Sequence, residues 1–385
     1  MRTGIAELPL HTGKVPPWLL SRMHKLARIV VELIIDEYGP KGLLERISDP
    51  VYFQAINNLI GMDWDSSGST TVTTAILKSV LDEADLGVKV AGGKGEKSRE
   101  TPQELEKIAV HFGLDPEKYT RTSYLVAKVD SAAVQAGYQL YHHAFFLAED
   151  GSWAVVQQAM KPSERVARRM HWYSGKVTDP VSEPYSGVAG VKEEFVLNTV
   201  ALEASGFRRL AVDLVQEPPS RIESYLRQAE AILRGYQPIL LYRPYEPVTL
   251  RNNLKRYAKL GFPRAERLGL EAARQAGVDS YSDLLAVRGV GPSTIRALAL
   301  VAELVYETPP SWRDPLTHPV DPFKFAYAVG GKDGVPFPVD KKTYDELVSI
   351  LNALLDRKIY TKRVLKQIAI LTRNWNPPPE EKRPT

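Results

Sequence analysis

The stretch that decides how the second half of this chain folds is residues 284–298, LLAVRGVGPSTIRAL. Its pattern predicts a short helix ending near Val287, a tight turn at residues 289–291, and a second helix beginning at Pro292. The two glycines of the turn allow positive φ, and Val290 between them is expected to point back into the core. This pattern is typical of a helix-hairpin-helix.

Such a turn exposes backbone N–H groups at the positive end of the second helix. These donors can hold the phosphates of a nucleic-acid backbone without reading the bases. An ordinary helical hairpin with a glycine turn is the alternative. The predicted DNA-binding residues of this stretch are Gly289, Val290, Gly291, Ser293, Thr294 and Arg296.

Composition indicates an ordinary globular protein. The chain has 385 residues, of which 44% are hydrophobic and 25% charged, with a net charge of +4. This length allows two or three domains, and the mild positive charge permits nucleic-acid binding. The sequence has no cysteine, which excludes disulfides and thiolate zinc sites. We expect a cytoplasmic protein with no membrane partner, because no apolar run is long enough to span a bilayer and the N-terminus has no signal-peptide pattern.

A polar segment, DWDSSGSTT at residues 63–71, precedes a helix predicted to begin near Val72. Its hydroxyl and free N–H groups could bind an anion at the start of that helix. Its carboxylates, Asp63 and Asp65, are candidate metal ligands. Helix capping and a turn also explain the same residues.

A glycine-rich loop, AGGKG at residues 91–95, lies between a predicted strand and a predicted helix. Lys94, Lys97 and Arg99 give it the composition of a phosphate-binding loop. The GxxxxGK[ST] spacing of a Walker A loop is absent, so nucleotide hydrolysis is not predicted. We take Lys94 and Lys97 as candidate catalytic residues and Arg99 as a candidate DNA contact; a solvated basic turn is the alternative.

Residues 124–129, YLVAKV, predict a strand that ends at Asp130. A carboxylate at a strand end is a common position for a functional group in α/β proteins. We therefore take Asp130 as a candidate catalytic residue and metal ligand.

Two adjacent histidines follow in a predicted β-hairpin with Asp150-Gly151 as its two-residue turn. That register would place His143 opposite Gln158 and His142 near Gln157. His142 and His143 are candidate catalytic residues, and His143 is also a candidate metal ligand. Imidazoles buried against glutamine or carboxylate partners are the alternative.

The densest basic cluster of the chain comprises Arg165, Arg168 and Arg169, on a predicted helix. These side chains would lie close to one helix face, and Trp172-Tyr173 would add a stacking surface. The cluster is a candidate second DNA contact, although a solvated basic helix face is the alternative.

The fold class expected is α+β, with an N-terminal mixed α/β domain followed by an all-helical domain that contains the helix-hairpin-helix. The predicted divisions are residues 1–175 for the mixed domain with the candidate catalytic centre, 176–247 for a connector and helical segment, 248–376 for the helical domain, and 377–385 for a disordered tail. Within the second division, helices are expected at about residues 203–215 and 220–234.

Five further motifs stand out: RTGIAELPLH at residues 2–11, SSG at 66–68, VAGGKG at 90–95, KVDSAA at 128–133 and QAGYQLYHH at 135–143. Together they resemble a prokaryotic family, domain of unknown function 763. The resemblance covers nearly the whole chain and implies that the N-terminal motifs belong together, but it implies no activity. In that family the position of Asp65 is often a histidine, which argues against Asp65 as an obligatory catalytic group.

The function favoured by the sequence is a DNA-processing enzyme of the repair or recombination class, most concretely a metal-dependent nuclease. Asp130, Asp63 and one of the two histidines would hold Mg²⁺ or Mn²⁺. Two alternatives stay open: a DNA glycosylase or lyase that acts on damaged bases through a lysine amine, and a non-catalytic protein that binds particular DNA structures.

Overall fold

A computed structural model describes residues 15–62, 67–234, 247–263 and 266–318, with residues 341, 342, 345 and 348. Asp63, Asp65 and the predicted tail at 377–385 lie outside the described residues. The helices are α1 (Pro17–Ile47), α2 (Pro50–Leu59), α3 (Ser67–Ala84), α4 (Thr101–His111), α5 (Pro116–Lys128), α6 (Ser205–Gln216), α7 (Pro219–Leu233), α8 (Pro247–Lys259), α9 (Arg267–Ala276), α10 (Tyr281–Ala286) and α11 (Pro292–Tyr306). The strands are β1 (Val88–Lys94), β2 (Val134–Gln135), β3 (Gln139–Ala148), β4 (Trp153–Lys161), β5 (Val166–Tyr173), β6 (Tyr185–Ala189) and β7 (Leu197–Asn198).

A five-stranded antiparallel sheet in the order β1-β3-β4-β5-β6 organises the N-terminal half. Strand residues alternate between its two faces. One face, which includes Val90, Phe146 and Val156, packs against α1, α2 and α3. The other face, which includes Phe145 and Trp172, shares a core with α4, α5 and the C-terminal helices. The sheet therefore lies between two helical layers, and polar residues at its interior, such as His143 and Arg169, are buried.

The C-terminal half of the described chain is helical, as predicted, and it packs on the second face of the sheet. A single hydrophobic cluster contains Trp172 of the sheet, Phe207 of α6, Leu254 of α8 and Leu298 of α11. The sheet also continues past residue 175, because β6 pairs with β5. The two helices expected near residues 203–215 and 220–234 are confirmed as α6 and α7.

The strand predicted at residues 124–129 is wrong, because this segment is the end of helix α5. Asp115 caps that helix by accepting a hydrogen bond from the Glu117 amide at 3.0 Å, and Pro116 occupies its first turn. The apolar run contributes Leu125 and Val126 to the core face of the helix. Asp130 follows in a π-helical turn at Val129–Ala133.

The helix predicted for the basic cluster is also wrong. Residues 166–173 form strand β5 at the interior of the sheet, between β4 and β6. Period-2 alternation places Arg169 on the face toward α2 and α3, and Arg168 on the opposite face. Both arginines are buried, and so is Trp172. The predicted stacking surface at Trp172-Tyr173 therefore lies in the core.

The β3–β4 hairpin forms where it was predicted, but its turn is one residue longer. The Gly151 amide donates to the Ala148 carbonyl at 2.9 Å, and Ala148 donates to Ser152 at 2.9 Å, with Gly151 at φ 84°. This is a three-residue loop with a bulge at its glycine. The register shifts accordingly, so that His143 pairs with Gln157 and His142 with Gln158.

Candidate functional site

A buried polar relay connects α5, the sheet and the π-helical turn. The Gln157 side-chain amide donates to Asp130, so its oxygen accepts from His143 Nδ1 at 2.9 Å. The neutral imidazole then accepts at Nε2 from the Ser123 hydroxyl at 2.8 Å. The relay therefore runs from Ser123 through His143 and Gln157 to Asp130, and all four side chains are buried.

Asp130 has two further donors, the Tyr185 hydroxyl at 2.6 Å and the Trp172 indole N–H at 3.1 Å. Burial raises the pKa of Asp130 to about 7, although both hydrogen bonds act in the opposite direction. Burial also lowers the pKa of His143 to about 4. At neutral pH the histidine is neutral, and Asp130 can exchange a proton.

In this arrangement His143 has no free ring nitrogen to offer a metal ion. Within the described ranges, no group of three or more histidine, cysteine, aspartate or glutamate side chains could hold one. Asp63 and Asp65, the other candidate ligands, lie outside those ranges. The predicted Mg²⁺ or Mn²⁺ site therefore stays a sequence-based hypothesis.

A second buried network lies on the opposite face of the sheet, around Arg169. Its guanidinium donates to Thr70 at 2.7 Å, to Gln54 at 3.1 Å and to Ser69 at 3.1 Å, and it stacks 4.8 Å from the centre of the Phe53 ring. Burial lowers the pKa of Arg169 to about 9. Arg169, predicted as a DNA contact, therefore connects β5 to helices α2 and α3 through buried hydrogen bonds.

His142 lies on that same face, apart from His143. Thr74 donates its hydroxyl to the Thr70 carbonyl at 2.8 Å, so His142 Nε2 donates to Thr74 at 3.0 Å. Its Nδ1 is buried and has no hydrogen-bond partner in the described part of the chain. Burial, with the charges of neighbouring basic groups, lowers the pKa of His142 to about 3. The two adjacent histidines thus belong to separate networks and do not form one catalytic pair.

The remaining arginines of the basic cluster have different environments. Arg168 forms a two-pronged ion pair with Asp314, at 3.0 and 2.8 Å, and both side chains are buried. Arg165 lies in the turn between β4 and β5 and is exposed. The three arginines therefore do not form one basic surface.

The glycine-rich segment borders a cleft of about 840 Å³ between α3 and β1. Gly92 has φ 90°, and a Cβ there would lie 2.3 Å from the His143 carbonyl oxygen, so close strand packing requires the glycine. Lys94 and Lys97 are exposed at the cleft, whereas Arg99 lies beyond its lining. Four carboxylates also line the cleft, namely Asp82, Glu96, Glu100 and Glu104. A phosphate-binding loop would not be expected to carry these carboxylates. The cleft therefore presents both positive and negative side chains to a ligand.

The turn predicted at residues 289–291 separates α10 from α11, and Val290 is fully buried between them, as predicted. Gly289 has φ 97°. Gly291 instead has φ −124° at the start of α11, so the positive φ that glycine allows occurs only at Gly289. That the helix pair is a helix-hairpin-helix stays a prediction.

Side chains at the start of α11 differ in accessibility. Thr294 is buried, with its hydroxyl 3.5 Å from Glu266, and Arg296 donates to Gln135 at 2.6 Å. These two side chains therefore bind other parts of the protein. Ser293 is partly buried, and Gly289 is exposed.

The sequence assigned no functional role to Ser123, Tyr185 or Asp314. Tyr185 lies in the segment interpreted as a connector. No local pattern distinguishes them, because each meets its partner only through tertiary packing.

The fold and its buried networks define an α+β protein with an antiparallel sheet enclosed by helices. The sequence matches the family model described as "Protein of unknown function (DUF763)" over residues 4–339, and the chain therefore belongs to that family. No curated protein and no solved structure matches the chain. No helix of the described ranges is both long and apolar enough to cross a membrane.

Proposed function

We propose that this protein binds nucleic acid, most plainly DNA, through the sugar–phosphate backbone at the turn between α10 and α11. The observation that carries the proposal is that Gly289 is exposed and that backbone N–H groups of this turn are available to a ligand. In the described part of the chain, the N–H groups of Gly289 and Gly291 donate no hydrogen bond. Both lie at the amino end of α11, where the helix dipole favours an anion.

Positive side chains accompany these amides. Arg288 is exposed within the turn. Lys128 of α5 donates to the Val290 carbonyl at 2.6 Å. This hydrogen bond holds the turn against α5 and adds a positive charge beside it. Backbone amides and cations of this kind contact phosphates and carry no base specificity, so binding with little sequence preference is expected.

An exposed apolar side chain lies on α9, the helix that contacts the turn. A Cβ on Gly269 would be 2.4 Å from the Gly289 carbonyl oxygen, so α9 and the turn are in close contact. Leu268, the neighbouring residue, is 83% exposed. An exposed leucine beside a phosphate-binding turn would contact sugars or bases of a bound strand.

The geometry gives less support to cleavage than to binding. The candidate catalytic residues Asp130 and His143 are buried and hydrogen-bonded to protein partners, and Lys94 and Lys97 lie at a cleft that also carries carboxylates. Binding is therefore the function that the described residues favour.

Arg288→Glu tests the proposal. We expect it to weaken binding of labelled single-stranded and duplex DNA about tenfold and to lower the slope of log affinity against log salt by about one, because one phosphate contact is lost. Fluorescence anisotropy at several salt concentrations measures both quantities.

Arg209→Glu is the matched control, because it reverses the same charge on an exposed residue of α6 that was not predicted to contact DNA. It should bind DNA like the unmodified protein. Equal losses in the two variants would assign the effect to overall charge, and an unmodified protein that binds neither DNA would refute the proposal.

A further inference from the structure

A small cavity lies beside Asp130 and Tyr185. Its volume is about 20 Å³, and its polar lining consists of Asp130, Tyr138, Arg168 and Tyr185. A cavity needs roughly 10–15 Å³ and two to four polar partners to hold one water molecule. The cavity therefore has the size and polarity for a single water and no room for a larger ligand.

Among the described residues, Arg168 Nε is buried and has no hydrogen-bond partner. The buried hydroxyl of Tyr138 also lines the cavity, and it lies near the Glu193 carboxylate. The other nitrogens of Arg168 are engaged: Nη1 and Nη2 donate to Asp314, and Nη2 also to the Val191 carbonyl at 3.0 Å. A buried N–H of a charged group that makes no hydrogen bond is unfavourable, because the group has lost its bonds to bulk water. The lining thus supplies a strong donor and a hydroxyl to an occupant.

We infer that this cavity is a binding site for one water molecule, which accepts from Arg168 Nε, bonds the Tyr138 hydroxyl and contacts the Asp130 carboxyl. A cation is disfavoured by the Arg168 guanidinium, and an anion is disfavoured by the Asp130 carboxyl. A neutral ligand that both donates and accepts satisfies all the lining groups.

The water would connect two buried polar networks by hydrogen bonds. On one side is the relay from Ser123 to Asp130. On the other is the ion pair of Arg168 with Asp314, whose carboxylate also accepts from the Glu193 amide at 2.8 Å. Through the water, the polar network runs from α5 across the sheet to the segment at residues 311–318.

A route to solvent is also visible. Tyr185 and Pro315 line both this cavity and a larger cleft of about 340 Å³ that also includes Asn198 and Arg313. The water can therefore exchange when these two shared residues move. The site does not depend on the proposed nucleic-acid binding.

Oxygen-17 magnetic relaxation dispersion of the full chain tests the inference, because it counts waters with long residence times. Ala159 lines the cavity and is buried, so Ala159→Val fills the space. We expect the dispersion amplitude to fall by the contribution of one water. Ala109→Val is the matched control: Ala109 is buried in α4 and lies outside the lining, so its amplitude should stay unchanged.

Tyr138→Phe provides a second test, and it leaves the cavity in place. Tyr138 is partly exposed. The substitution removes one hydrogen-bond partner, so the water should remain and exchange faster. An amplitude in Ala159→Val equal to that of the unmodified protein, with unchanged exchange in Tyr138→Phe, would overturn the inference. So would a crystal structure with an ion at this position.

Discussion

Asp130 carries a carboxyl group whose protonation the folded protein controls. Burial raises its pKa from 3.8 to about 7. The folded state therefore binds a proton more tightly than the unfolded chain between about pH 4 and pH 7. Below about pH 4 this group makes its full contribution to the free energy of unfolding. Between about pH 4 and pH 7 the contribution decreases with rising pH, by at most about 1.4 kcal/mol per pH unit.

Asp130→Asn removes this titration. We expect the difference in unfolding free energy between the unmodified protein and the variant to decrease from pH 5 to about 7 and to be flat above. Urea denaturation at a series of pH values measures it. A difference that is constant over this range would show that Asp130 does not titrate there.

The buried histidines act in the opposite direction. The pKa values of His142 and His143 are lowered to about 3 and about 4, and burial also lowers the pKa of His171. Their contributions to stability are present above pH 6.5 and are lost as the pH falls toward the lowered values. For this reason the Asp130 effect is measured as a difference between two proteins and not from one pH profile.

At the scale of elements, strand β1 depends on its glycines to different degrees. A Cβ on Gly92, which has φ 90°, would lie 2.3 Å from the His143 carbonyl oxygen of β3 and 2.5 Å from the Thr101 hydroxyl of α4. Gly95 follows the strand with φ 63° and has no atom within 4 Å of such a Cβ. The first glycine is thus required by packing and by φ, and the second only by φ.

Gly92→Ala is expected to lower the free energy of unfolding by about 3 kcal/mol, because β1 must move away from β3. Gly95→Ala, the matched control, should lower it by only about 1 kcal/mol, the strain of left-handed backbone. Thermal and urea unfolding compare the two variants. Equal effects would mean that the close contact at Gly92 relaxes without loss.

At the scale of the whole molecule, the segment at residues 311–318 ties the sheet to the C-terminal helices. Ala189 forms a bridge with His318, and Asn198 with Ser311. The buried pair of Arg168 and Asp314 lies between these two bridges in the chain. Breaking a buried ion pair leaves an uncompensated charge, which is unfavourable by about 3–5 kcal/mol.

A double-mutant cycle with Arg168→Met and Asp314→Asn should therefore give a coupling energy of about 2–3 kcal/mol in unfolding experiments. The neighbouring exposed pair, Arg313 with Glu183 at 2.8 Å, supplies the control cycle, where we expect less than about 1 kcal/mol. Similar coupling in the two cycles would contradict a structural role for the buried pair.

Local signals in the sequence were enough for the elements whose pattern and capping agree. Pro292 and the apolar spacing located α11, and the α+β class with a helical C-terminal half followed from the same periodicity. Asp150-Gly151 located the hairpin, although its register was one residue off because the turn has three residues. These features depend on contacts between near neighbours in the chain.

Tertiary structure decided the rest. The run at 124–129 is compatible with a strand or a helix, and its packing, with the cap at Asp115, makes it the end of α5. Arg168 and Arg169 lie in strand β5 and are buried, because Gln54, Ser69, Thr70 and Asp314 provide partners from distant segments. Desolvation and hydrogen bonding between remote residues set whether a charged side chain faces a ligand or the core. A single sequence does not show which remote residues come close together. It therefore identified Asp130 and His143 as candidates, but only the fold shows the hydrogen bonds that connect them through Gln157.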